Sequence, residues 1–280
     1  MDNKNNTLLG LGIAGNSAGH LQQTGESKGF SQLVDANKPQ ALFPFYVPGA
    51  KEGYLSVHPY SEHHLHLPDS ENAKVQMEPE LALKLSVSYG QQGLVEGLKV
   101  LAVTVINDAT YRNADIVKLA QKKNWGTSCK GLADHEIMID AFTLGSSLDH
   151  FRLCGFHQRD SQWSLCGDDV ALNEYSYFYE DILQWLVTQI QTQQNKGPLH
   201  NIQDLLTQAD HPENILVAIG ATRYSSYGET HQLISGDQSA VILYDSRAYK
   251  LPSILHLLED GNDLNVLSNE KIVCLHQHII

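Results

Sequence analysis

The chain has 280 residues, 42% of them hydrophobic and 18% charged, a balance that excludes collagen-like, coiled-coil and wholly disordered classes. Nineteen Lys and Arg against 32 Asp and Glu give a formal charge of −13. That field repels nucleic acid and anionic membrane, so neither is an expected partner, and an anionic substrate needs a cationic pocket of its own. No run approaches the roughly 18 uncharged apolar residues that span a bilayer. The N-terminal apolar run is Gly-rich and lacks a cleavage site, so the expected location is the cytoplasm. Cys129, Cys154, Cys166 and Cys274 have no CxxC spacing, and reduced structural thiols are expected.

In chain order, residues 1–30 are rich in glycine and small polar residues, with LLGLGIAG as a short strand leading into a mobile segment. Its glycines, Gly10 to Gly15, imitate half a dinucleotide fingerprint. No apolar helix face or acid at the required distance follows, so nucleotide binding is not expected. ALFPFYVP, GYLSV and HPYSEHHLHLP read as short strands and turns. QMEPELALKLSV and LKVLAVTVIND read as two adjacent core strands split by YGQQG.

Residues 109–124, ATYRNADIVKLAQKKN, space their apolar residues as one helix face, and DHEIMIDAFTL returns to strand. The strongest helix spans Tyr175 to Thr192, with Asn173 as N-cap and Gly197-Pro198 beyond its end. HNIQDLLTQA predicts a shorter helix, and NILVAIGAT, SAVILYD and KIVCLHQH predict strands, with ILHLLE as a further helix candidate. With no repeat or linker in sight, the sequence predicts one domain over 1–280, mixed α/β and mostly β with peripheral helices, whose segment 1–40 carries a mobile lid.

The chemistry concentrates in MEPELAL. Glu78 and Glu80 stand two apart on a strand, and period-2 alternation puts both on one face. Asp108 closes the next apolar run and reaches the same space if the two strands are neighbours. Three convergent carboxylates without a nearby Cys suit a hard divalent ion, Mg²⁺, Mn²⁺ or Ca²⁺, better than zinc. The same spacing also allows Glu78 and Glu80 on a solvent-facing edge with Asp108 as a helix cap. His58, His63, His64 and His66 resemble a metal cluster, but no fourth ligand is placed by spacing, and a pocket-wall or surface role is the expectation. There is no GxSxG elbow, and Cys129 has no readable base partner.

EPELAL followed by VINDATYR resembles the fumarylacetoacetate hydrolase superfamily, whose members show a Glu-x-Glu strand and then Asn-Asp-x-Thr-x-Arg. GNSAGH near the N-terminus, KNWGTSC and ILVAIGAT are similar to further segments of that family and fall in its order. The resemblance implies a twisted β-roll or β-sandwich, a divalent cation on Glu78, Glu80 and Asp108, and a homodimer. It makes His20 the lid histidine that takes a proton from water and Lys123 the active-site lysine. Arg112 and Thr222 become substrate contacts. The acid that usually partners the lid histidine is Gln23, which can orient but cannot take a proton, and Glu26 falls on another face of a helical lid. Asn113 and Arg223 also depart from the family pattern.

The implied reaction is metal-dependent hydrolysis of a C–C bond in a β-dicarbonyl acid such as an acylpyruvate. The alternatives are decarboxylation or tautomerisation of an oxo acid through the same enolate, and a non-catalytic small-molecule binding protein on the same fold. The expected partner in each case is a small anionic oxo acid.

Overall fold

The computed structural model describes residues 8–16, 23, 38–261 and 264–280. It is mixed α/β and mostly strand. In chain order the strands are β1 (Leu9–Ala14), β2 (Ala41–Tyr46), β3 (Tyr60–Ser61), β4 (His64–Leu65), β5 (Val75–Gln76), β6 (Pro79–Tyr89), β7 (Val95–Asn107) and β8 (Thr110–Tyr111). There follow β9 (Lys130–Leu132), β10 (Ile137–Met138), β11 (Phe151–Arg159), β12 (Gln162–Ala171), β13 (Asn214–Ala221), β14 (Gln238–Asp245) and β15 (Ile272–Ile279).

An eight-stranded sheet runs β2-β1-β13-β6-β7-β9-β3, with β10 also on β7; a five-stranded sheet runs β12-β11-β14-β15-β4; and β5 pairs with β8. The large sheet curls until its two edges meet. Tyr60 on β3 sets its ring edge-on to Phe45 and Tyr46 of β2, at centroid distances of 6.1 and 5.7 Å. Asn124 closes the seam by donating to the carbonyls of Phe45 (2.8 Å) and Val57 (3.0 Å). Two buried side-chain populations follow from the strand alternation. Leu81, Leu83, Val103 and Val105 face the second sheet and pack with Leu153, Val241 and Val273. Ala82, Ile106, Leu216 and Ala218 face the concave side, beneath Phe43, Phe45 and Tyr60.

The two core strands around YGQQG form as the sequence predicts, as an antiparallel pair with Pro79 opposite Asn107 and Glu80 opposite Ile106. β2, β13, β14 and β15 fall on their predicted segments, and ILHLLE lies in the helix Leu251–Glu259. The helix Ile202–Gln208 begins at Asn201, whose side chain accepts from the Asp204 N–H, as an N-cap should.

Several expectations are corrected. Residues 109–124 form no α-helix but the strand Thr110–Tyr111 and a 3-10 turn, Leu119–Lys122. Val117 and Lys118 donate their backbone N–H to the Gln121 side chain. Arg112 and Lys123 turn inward to carboxylates rather than lying along a solvated helix face. The long helix starts at Tyr179, not Tyr175, and Asn173 sits in a 3-10 turn. Tyr175 and Phe178 are buried, and Asn16 bonds the Tyr177 backbone at both ends, which holds this stretch out of the helix. GYLSV is a 3-10 turn rather than a strand, and DHEIMIDAFTL keeps only Ile137–Met138 as strand.

Within segment 1–40, the expected place of a mobile lid, Leu9–Ala14 form buried β1 and Asn16 is fully buried. The rest of that segment, apart from Leu8, Gly15, Gln23 and residues 38–40, lies outside the described residues. In β1 the glycines serve packing. A Cβ on Gly12 would stand 2.3 Å from the Phe43 ring.

Among the described residues no helix is long and apolar enough to cross a membrane. All four cysteines are buried and free of disulfides. Overpacking of this kind costs about 1–3 kcal/mol, so Gly12→Ala is expected to lower the urea midpoint accordingly. Adding Phe43→Leu to it should recover part of the loss, and a Gly12→Ala protein as stable as wild type would contradict the contact.

Candidate active site

The hairpin of β6 and β7 brings the acidic residues together through its own backbone. Asp108 N–H donates to the Glu78 carbonyl at 2.9 Å, and Glu78 N–H donates to the Asn107 side chain at 3.0 Å. Glu78 and Glu80 therefore share the concave face with Asp108, as alternation requires, and all three are buried. One oxygen from each lies within 4.8 Å of the other two. Among the described residues no other His, Cys, Asp and Glu converge in this way. His63, His64 and His66 are exposed. His58 sits edge-on to Tyr46 and Tyr60. The solvent-edge arrangement of Glu78 and Glu80 is thereby corrected.

Three cations hold the cluster. The Lys123 ammonium bonds a Glu78 oxygen, lies 2.5 Å from Asp108 Oδ2 and 3.2 Å from the Asp108 carbonyl, and sits over the Phe43 ring. Arg112 reaches Glu78 Oε1 at 2.6 Å, donates to the Gln76 side chain at 2.8 Å and to the Tyr224 hydroxyl at 2.8 Å. The third cation is Lys130, which is fully buried 2.7 Å from Asp108 Oδ1. Sequence reasoning passed over Lys130, because a lysine at the head of a three-residue strand carries no pattern that marks it as buried. Its only signal is its place one residue after Cys129 in a segment similar to a family motif.

Among the described residues no cation forms an ion pair with Glu80. Gly220 N–H donates to its Oε2 at 2.8 Å, from a bulge between β13 and β6 where Gly220 takes φ +115°, a region that favours glycine. Burial first, and then the neighbouring charges of Asp108 and Glu78, push the Glu80 carboxyl well above the usual carboxylate range against the opposing pull of Lys123. A second positive charge at this point would relieve that penalty. The donor set is all oxygen, so the residues fit a hard dication. Lys130 shifts the other way, its ammonium lowered by burial while Asp108 resists.

Thr222, immediately beyond β13, donates its N–H to the Pro79 carbonyl at 3.2 Å. Its buried hydroxyl has no hydrogen-bond partner among the described residues. Gly167 makes room for that hydroxyl, since a Cβ there would lie 2.4 Å from Thr222 Oγ1. Gln23 is drawn to the segment after Thr222. Its amide donates to the Tyr224 carbonyl (3.2 Å) and to Glu229 (2.8 Å), and accepts from the Tyr224 N–H (3.0 Å). Asn113 accepts from Lys74 N–H and donates to the Asn72 carbonyl, a loop-closing role, and Arg223 is exposed. His20 and Glu26 lie outside the described residues. The Cys129 thiol is buried and pushed up by desolvation, which does not favour a nucleophile.

Residues 26–279 match DUF5718, a family of unknown function. No curated protein matches the sequence. Among solved structures the chain is similar to Cg1458 bound to an inhibitor, at a TM-score of 0.55 and 16% identity, covering 97% of this chain and 76% of that one. It is similar to 2-keto-3-deoxy-D-arabinonate dehydratase complexed with magnesium and 2,5-dioxopentanoate, at a TM-score of 0.50 and 15% identity over 98% and 73% of the two chains. It is also similar to yeast ynq8, a fumarylacetoacetate hydrolase family protein, at a TM-score of 0.50 and 15% identity over 98% and 93%. At these identities the likeness is one of fold, and the fold is the one the sequence resemblance implied.

Two outcomes follow for this site. A carboxyl protonated more readily when folded makes the metal-free protein lose stability as pH rises above about 4.3, the value in the unfolded chain. Glu80→Gln should flatten that decline in urea titrations between pH 4.5 and 8, and an unchanged slope would count against it. Gln23→Glu should remove two donors and set a carboxylate against Glu229. Hydrogen exchange across residues 224–230 should then speed up several-fold, and the pair Gln23→Glu with Glu229→Gln should restore part of the protection.

Proposed function

The chain belongs to DUF5718, a family of unknown function, and from its fumarylacetoacetate hydrolase-like fold we propose that it is a metal-dependent enzyme acting on a small anionic 2-oxo acid through an enolate. The first reading of the reaction is hydrolysis of a C–C bond in an acylpyruvate-like β-dicarbonyl acid. The observation that carries the proposal is the convergence of Glu78, Glu80 and Asp108 within 4.8 Å on a buried concave face.

Those three carboxylates would hold the ion, Mg²⁺ for preference, in line with the magnesium of the similar dehydratase. The bound cation supplies Lewis-acid polarisation of the substrate carbonyl and charge for the developing enolate. Lys123, fixed between Glu78 and Asp108, adds a preorganised positive charge beside the same oxygen. Arg112 orients Glu78 through its 2.6 Å contact, and its guanidinium offers a cationic contact for a substrate carboxylate. The Thr222 hydroxyl, buried without a partner among the described residues, is available to donate to a substrate oxygen. His20 would take the proton from water in a hydrolysis.

A second reading, decarboxylation, tautomerisation or dehydration of an oxo acid, is favoured by Gln23. Its amide is committed to Tyr224 and Glu229 and so supplies no acid to raise the basicity of a water-activating histidine.

The test is a metal-binding and activity comparison. Mg²⁺ or Mn²⁺ should raise the melting temperature of the wild type and leave Glu78→Ala, Glu80→Ala and Asp108→Ala unmoved, each still folded by circular dichroism. Wild type with metal should turn over either an acylpyruvate or oxaloacetate, the carboxylate variants losing at least about 10²-fold. Equal thermal shifts in all four proteins would sink the site. Metal binding without turnover of either substrate class would favour a binding protein on this fold.

A further inference from the structure

Asp108 is gripped on both oxygens, Oδ2 by Lys123 at 2.5 Å and Oδ1 by Lys130 at 2.7 Å. Lys130 differs from the other two cations of the cluster. Its side chain is fully buried, against 6% exposure for Lys123 and 13% for Arg112. It is immobilised at every side, donating to the Ala109 carbonyl at 2.5 Å and lying 5.5 Å from the Trp125 ring centroid and 6.0 Å from that of Phe45. Rings placed so favour a cation. An ammonium held in this way stays behind Asp108 and is not positioned to meet a substrate. Its effect on the site is the permanent presence of one more positive charge.

We propose that Lys130 is a positioning residue that serves as a built-in counter-ion, fixing Asp108 before any metal arrives and weakening divalent-ion binding until a doubly charged anion joins it. The inference rests on the metal-site reading above and deepens it. Three carboxylates, Glu78, Glu80 and Asp108, stand against three cations, Arg112, Lys123 and Lys130. With all three carboxylates ionised, as a bound dication requires, the formal charges of these described residues cancel, and the ion leaves an excess of two positive charges in a buried space, which is costly. An anion carrying two charges in its bound form, as a carboxylate with an enolate oxygen does, closes the balance. Metal and substrate should therefore bind as a coupled pair, each strengthening the other by the same factor.

The experiment is calorimetric titration of Mn²⁺ into the full chain, alone and in saturating oxalate, a dianion that mimics the enolate of a 2-oxo acid. Wild type should bind Mn²⁺ weakly alone and at least tenfold more tightly with oxalate. Lys130→Met keeps the length and loses the charge. It should bind Mn²⁺ alone at least tenfold more tightly than wild type, with an oxalate enhancement at least threefold smaller. Lys130→Gln should follow it, and Lys130→Arg should keep the wild-type pattern.

A purely structural role predicts the opposite sign, since loosening Asp108 would weaken the metal. Mn²⁺ affinity in Lys130→Met equal to or below that of wild type overturns the counter-ion role while leaving the metal site standing. If the neutral variants fail to fold, the wild-type measurement decides alone, and an oxalate effect under twofold overturns the proposal. Absence of Mn²⁺ binding in every protein, with and without oxalate, removes the metal reading and this inference together.

Discussion

Three buried carboxylates with oxygens within 4.8 Å of one another repel, and burial leaves little water to soften the repulsion. Each must be answered by a charge or a fixed dipole. Much of the architecture around the concave face follows from that requirement. Lys123 and Lys130 flank a short loop so that two ammonium groups approach Asp108 from opposite sides. Arg112 is drawn inward and, through Gln76 and Tyr224, takes the neighbouring segments with it. Gly220 is bulged so that its N–H turns to Glu80. The stretch 109–124, whose apolar spacing favours a helix, instead turns Arg112 and Lys123 inward to the carboxylates.

The aromatic rings have a double role. Phe43, Phe45 and Tyr60 pack on the concave face, and Phe43, Phe45 and Trp125 stand near the ammonium groups that answer the carboxylates. The residue after Lys123 is Asn124, which ties the two edges of the large sheet together. Charge compensation and closure of the sheet are thus adjacent in the chain. Loss of one disturbs the other, and a substitution at the seam reaches the site without touching it.

Strands β6, β7, β13, β14 and β15 were legible in the sequence because apolar runs bounded by turn residues carry their own signal. So were the acidic residues, because alternation on a strand is a strict rule and Glu78 and Glu80 are two apart. What could not be read was anything decided by a distant partner. Tyr175 to Phe178 look helical alone, but Asn16 holds them extended. The hairpin of β11 and β12 turns at Asp160 and Ser161, both in the left-handed region, without the Asn-Gly or Asp-Gly that announces such a turn. Lys130 is charged, short of pattern and buried, and only the position of Asp108 explains it. Gln23 could be recognised as a departure from a family pattern, but its engagement with Tyr224 and Glu229 depends on a segment some two hundred residues away.

The place of β1 in the sheet has a consequence for biosynthesis. Its strand Leu9–Ala14 lies between β2 and β13, paired in parallel with Leu9 beside Ile215. Among the described strands of its sheet, the first in chain order therefore waits for the last. Until residues 214–221 emerge, an apolar, glycine-bearing segment has only β2 to pair with, and its other edge stays open. Contacts of such sequence separation are slow to form, and an unpaired apolar edge is a hazard during that interval. Overexpression of this chain should accordingly gain from added chaperone supply, which covers the open edge while the rest of the sheet is made.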